Sequence, residues 1–197
     1  MALSNITEVC KGVHLGLWRM DEEPEELLAH FPILRQQDCP YKHSARQKEF
    51  YSVRALLLAM TGDPELLIDH EESGRPVVQG WQTSISHTRG YAALMLSRDQ
   101  RVGVDIEYRS DRVAKIASHY IRPDETAEST EQMLVLWCAK ETLYKLHSED
   151  RLDYFEMRAA SAPVGDELLL ENMKRGQQVT IHVVPTPEYV LTWAVDF

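Results

Sequence analysis

From Thr83 to Glu107 the chain strings together three short runs of strand character, SISH, YAALMLS and RVGVDIE, with only the turn signals TRG and RDQ between them. Turns that short join neighbouring antiparallel strands, so the segment is predicted as a meander. Helical and strand patterns flank it on both sides. Upstream, VHLGLW at 13–18 alternates like a strand, and DEEPEELLAHF reads as a short helix with acids in its first turn. A stronger helix is predicted from Ser44 as N-cap, with Phe50, Val53, Leu57 and Met60 at helical spacing. The polar, glycine-containing centre of LLIDHEESGRPVV suggests a hairpin or an extended turn.

Downstream, Asp111–His119 has the composition of a short helix, and Pro123 marks a break. Ser129 with Gln132 forms a capping-box signature ahead of MLVLWCAKETLYKL, about four turns of apolar periodicity. Four strand patterns follow: YFEMRAA, ELLLEN, QVTIHVV and YVLTWAV. The prediction is an α+β chain of two halves, 1–100 and 101–197, without a linker between them.

Composition narrows the function. A net charge of −10 disfavours a nucleic-acid surface, which needs clustered Lys and Arg. No apolar run approaches the roughly 18 residues of a membrane span, and the N-terminal MALSNITEVCKG lacks the pattern of a secretory signal, so a cytoplasmic protein is expected. Cys10, Cys39 and Cys138 have no CxxC spacing and read as free thiols, with Cys138 as a small buried hydrophobe.

The chemistry-bearing residues sit in a few short segments. In VGVDIE, Asp105 and Glu107 point to one face of a strand while Val104 and Ile106 point into a core. Two like charges beside a core are costly unless a cation or donors compensate them; the ordinary alternative is a solvated face. Glu141 and Lys145 lie one helical turn apart, either as a simple ion pair or as part of a site. Three carboxylates and a lysine in one pocket would suit a hard cation next to a phosphate.

Ser86 and His87 are strand neighbours facing opposite ways, which argues against a nucleophile–base pair; His87 reads as a phosphate ligand or as a strand-end histidine. Arg46 and Arg54, two turns apart, would share one side of their helix, ordinarily as a solvated basic edge. Arg75, between Gly74 and Pro76, is held out stiffly.

Taken in order, GRP at 74–76, SISHT at 84–88, VGVDIE at 102–107 and WCAKETLYK at 137–145 resemble the 4′-phosphopantetheinyl transferase family, in its longer two-lobed form like the surfactin-synthetase activating enzyme. The resemblance implies a pseudo-dimer of two similar α+β lobes, each with an antiparallel sheet and a long helix, and an active site in the cleft between them. It implies transfer of the 4′-phosphopantetheine group from coenzyme A to a serine of an apo acyl or peptidyl carrier protein by a monomeric, holo-[acyl-carrier-protein] synthase type enzyme, with release of adenosine 3′,5′-bisphosphate. Asp105, Glu107 and Glu141 would hold Mg²⁺, or Mn²⁺, on the pyrophosphate. Arg46, Arg75 and His87 would contact phosphates, with Ser86 nearby. Lys145 would stabilise the pyrophosphate, and Glu141 is also the candidate to accept the serine proton.

Two segments depart from the family pattern. Thr83, Ser84 and Ile85 stand where many relatives have an aromatic residue and an asparagine, and LHSEDRLDY follows Lys145 where many have a glycine-rich stretch. Because carrier proteins are typically acidic, a local basic or apolar patch near Arg109 and Arg112 is expected to face the carrier. The competing readings are a non-catalytic relative that binds coenzyme A or a carrier protein, and a metal-dependent phosphodiesterase that uses water.

Overall fold

The structure is a computed structural model that describes residues 3–163 and 165–196. It divides into two compact units, Met1–Gln100 and Arg101–Phe197. Each contains an antiparallel sheet and one long helix, a mixed α+β organisation. Among the described residues, no helix is long and apolar enough to cross a membrane.

In the first unit, β1 (Leu3–Cys10), β2 (Val13–Arg19), α1 (Pro24–His30) and α2 (Ser44–Thr61) precede a two-stranded ribbon of β3 (Asp69–His70) and β4 (Pro76–Val77). The hairpin of β5 (Gln82–Thr88) and β6 (Tyr91–Ser97) completes a four-stranded sheet of order β1-β2-β6-β5. Trp18, Leu27, Leu56, Leu57, Leu94 and Leu96 form the centre of its core. Gly16 lets α2 approach β2: a Cβ there would lie 2.5 Å from Met60 Sδ.

β1 was not predicted. It is an edge strand whose residues are mostly exposed, so its side chains carry no buried alternation, and its pairing with β2 runs through the backbone. The cap of α2 also differs from expectation. His43 is the N-cap, and Ser44 begins the helix with its hydroxyl on Glu23 Oε2 at 3.2 Å.

The second unit comprises β7 (Arg101–Tyr108), the single turns α3 (Arg112–Lys115) and α4 (Ala117–Tyr120), α5 (Thr130–Leu146), β8 (Met157–Ala159), β9 (Glu167–Asn172), β10 (Gln177–Pro185) and β11 (Tyr189–Asp196). Its sheet runs β7-β11-β10-β9-β8. The predicted three-stranded meander is therefore only a β5–β6 hairpin, because β7 pairs with β11, from Arg101↔Asp196 to Tyr108↔Tyr189. The physical reason is that β7 is buried on both faces over Val102–Ile106. A strand of that kind shows no one-sided pattern that would name its partner.

The capping box predicted for α5 is present, with Gln132 N–H donating to Ser129 Oγ at 3.2 Å. Leu136, Ala139 and Leu143 of α5 join Leu170, Ile181 and Val190 of the sheet in the core. Gly103 sets how closely helix and sheet pack, since a Cβ there would lie 2.5 Å from the Thr142 carbonyl oxygen. Thr142 and Thr192 hydroxyls, 2.6 Å apart, tie α5 to β11 beside it.

At the end of α5, His147 is fully buried as C-cap. Asn172 Oδ1 accepts the backbone N–H groups of Lys174 and Arg175, which turns its amide nitrogen toward His147 Nδ1 at 2.9 Å. Nδ1 is thus an acceptor, and Nε2 carries the proton that it donates to Asp196 Oδ2 at 3.3 Å. Burial first, and then the Arg175 charge, hold the His147 pKa below its ordinary value of 6.5, against the opposing pull of Asp196 and Asp150.

The unfolded state consequently binds a proton before the folded state does. His147 has no effect on stability well above that value and costs stability as pH falls below it, until the folded-state pKa is reached. Urea unfolding should give a lower midpoint at about pH 5.5 than at about pH 7.5, and His147→Gln should shrink that difference. An unchanged difference in the variant would remove His147 as its cause.

Candidate active site

α5 and β7 build the site between them. Alternation along β7 places Gly103, Asp105 and Glu107 on the face that α5 covers, opposite Val102, Val104 and Ile106. Asp105 is only 5% exposed there. Lys145 crosses from the helix to the strand: its ammonium donates to Asp105 Oδ1 at 2.7 Å and to the Val104 carbonyl at 3.1 Å. Among the described residues, the ion pair of Lys145 is with Asp105 rather than with Glu141, although its charge still acts on the Glu141 carboxyl.

Glu141 instead accepts the Tyr154 hydroxyl on Oε1 at 2.5 Å. Burial raises the Glu141 pKa, the Tyr154 hydrogen bond works against that rise, and the Asp105 charge adds to it. The Tyr154 phenol is pushed up as well, by burial first and then by Glu141. Cys138, one turn before Thr142, is fully buried and well above the ordinary thiol range through burial and the charges of Asp105 and Glu107. It is inert packing, as expected for a thiol that stays protonated. Asp105, Glu107, Cys138, Glu141, Lys145 and Tyr154 therefore form one electrostatic neighbourhood.

The three carboxylates offer only oxygen donors, which fits a hard divalent cation in chemical type. Among the described residues, however, no group of three or more His, Cys, Asp and Glu side chains is arranged to hold a metal ion. One oxygen of Asp105 takes the Lys145 ammonium and one of Glu141 takes the Tyr154 hydroxyl.

In the first unit, Glu49 gathers two of the predicted phosphate ligands. Arg46 Nη1 lies 2.8 Å and His87 Nδ1 3.7 Å from Glu49 Oε2. His87 is partly exposed and Ser86 is buried, as strand neighbours on opposite faces should be. Arg75 follows Gly74, whose φ of 84° is a left-handed conformation, and it reaches Gln82 Oε1 at 3.5 Å and Glu71 at 3.9 Å.

Arg54 departs from the basic edge expected with Arg46. It bends back over the Phe50 ring at 3.3 Å and donates to the Phe50 and Ile68 carbonyls, and burial lowers its pKa to about 10. Arg109, proposed as part of a carrier-facing patch, pairs with Glu131 at 3.0 Å and donates to the Thr186 carbonyl.

The pairing of carboxylates with a lysine where α5 meets β7 lies within a segment that resembles a known family. Residues 101–194 match the 4′-phosphopantetheinyl transferase superfamily. The match spans β7 through most of β11 and includes Asp105, Glu107, Glu141 and Lys145. The second unit is therefore similar to that superfamily over nearly its whole length. No curated protein matches the chain.

Glu49 and Tyr154 escaped the sequence reading. The spacing of Arg46 and Glu49 on a helix could have pointed to the first. Nothing local signals the second, since Tyr154 lies beyond the end of α5 and reaches Glu141 only through the fold.

Proposed function

We propose that the protein transfers the 4′-phosphopantetheine group from coenzyme A to a carrier-protein serine, as a monomeric cytoplasmic enzyme of the longer, surfactin-synthetase-activating type. The observation that supports it is the assembly of Asp105, Glu141 and Lys145 where α5 meets β7, inside the matched residues 101–194.

Asp105, Glu107 and Glu141 would hold Mg²⁺, which when bound supplies neutralisation of the charge on the pyrophosphate. Lys145 would add a second positive charge to that region, where the leaving oxygen becomes negative. The serine oxygen forms its bond to the β-phosphorus as the bond to the bridging oxygen breaks, and adenosine 3′,5′-bisphosphate leaves with that oxygen. Glu141 accepts the serine proton, a role suited to a carboxylate whose pKa burial has raised. Arg46, Arg75 and His87, with Ser86 beside them, are the proposed phosphate contacts of the first unit.

A non-catalytic binding protein is the second reading, favoured by the engagement of Asp105 with Lys145 and of Glu141 with Tyr154. Product analysis separates the two. With coenzyme A, Mg²⁺ and an apo carrier, adenosine 3′,5′-bisphosphate should appear only when the carrier is present. Release without a carrier would indicate a phosphodiesterase, and no release with several carriers would favour the binding protein.

A further inference from the structure

Tyr154 is held from three sides. Its ring stacks on Trp137 with centroids 5.2 Å apart and planes at 30°, and meets the Tyr120 ring edge-on at 6.4 Å. Its carbonyl oxygen accepts the ammonium of Lys140 at 3.2 Å. Lys140 is itself fully buried, with further bonds of 2.7 Å to Glu125 Oε2 and to the Tyr120 carbonyl. The backbone at Tyr154 is fixed as well: Asp153 and Glu156 form a capping box in which Asp153 N–H donates to Glu156, and Phe155 N–H also donates to the Asp153 side chain.

The geometry explains where the hydroxyl ends up. Trp137 and Glu141 are one turn apart on the same face of α5. The Tyr154 ring stacked on Trp137 therefore has its hydroxyl within reach of the carboxylate one turn further on. Among the described residues, Tyr154 is the hydrogen-bond donor to Glu141, and it takes Oε1. Phenol-to-carboxylate bonds of this length are charge-assisted and directional. Oε2 is left as the oxygen for a cation or a proton.

We infer that Tyr154 is a positioning residue for the transfer reaction: its hydroxyl fixes the Glu141 carboxylate in one orientation and so presents a single oxygen to the cation and the incoming serine. This rests on the proposed transfer function. Hydrogen-bonded partners of metal-ligating carboxylates orient their ligands, and losing one typically weakens metal binding or activity about 10- to 100-fold.

The test is Tyr154→Phe, which keeps the ring on Trp137 and removes only the hydroxyl. Mn²⁺ binding is read from the electron paramagnetic resonance signal of free Mn²⁺, beside kcat and KM for coenzyme A. The expected result is a Mn²⁺ Kd raised about tenfold, a kcat lowered about tenfold or more, and a KM for coenzyme A within about twofold of wild type. An unchanged Mn²⁺ Kd in the variant, beside a wild type that binds Mn²⁺ and modifies a carrier, overturns the inference while leaving the transfer function standing. That holds whether or not thermal stability falls, because loss of packing alone would not select the metal affinity. A wild type that neither binds Mn²⁺ nor modifies any carrier overturns both.

Discussion

Lys140→Ala is expected to destabilise the second unit by about 3–5 kcal/mol, the usual cost of stripping one partner from a buried ion pair. Lys140 and Glu125 show no exposed side-chain surface, and their charges meet at 2.7 Å. Burial pulls the Lys140 pKa down and Glu125 opposes that pull. Removing the ammonium leaves the Glu125 carboxylate buried, although Arg122 and Ala159 N–H groups still donate to it. It also unties the Tyr120 and Tyr154 carbonyls from α5.

Urea unfolding, with amide hydrogen exchange along α5, measures the effect. Lys140→Met combined with Glu125→Gln should cost less than Lys140→Ala alone, because no uncompensated charge remains. A single variant as stable as wild type would mean that water reaches Glu125, contrary to the buried pair described.

Asp105→Ala should abolish transfer while leaving the fold in place. If the carboxylate helps hold a divalent cation, its loss removes several kcal/mol of transition-state stabilisation, which is about a thousandfold or more in rate. It also frees the Lys145 ammonium from its 2.7 Å partner, so the second positive charge loses its aim. Asp105→Asn is the stricter form, since it preserves shape and removes the charge. Both should show native-like circular dichroism and no transfer at saturating Mg²⁺. Near-wild-type turnover in either would take Asp105 out of the site.

The sequence made some of this legible for reasons that are local. The Ser129–Gln132 box and the periodicity behind it define α5, and the alternating runs after Asp153 give β8 to β11, because caps and periodicity are written within a few residues. The common face of Asp105 and Glu107 follows from strand alternation in the same way. What depends on long-range pairing was not legible. β1 hides as an exposed edge strand, and β7 lies close in sequence to β6 yet pairs with β11.

The site divides along the same line. Helical spacing put Glu141 and Lys145 on one face, but which partner each takes was decided by residues 40 positions before Lys145 and 13 positions after Glu141. Lys145 pairs with a buried carboxylate on β7, and the tyrosine that reaches Glu141 is stacked on Trp137 and bonded through its carbonyl to Lys140.

The most direct test of the transfer function is the intact mass of an apo carrier protein after incubation with this protein, coenzyme A and Mg²⁺. Transfer predicts a carrier heavier by one phosphopantetheine arm, dependent on the divalent cation and absent with Asp105→Ala. Carriers of several pathways that all keep their apo mass, in the presence of folded protein and coenzyme A, would contradict it.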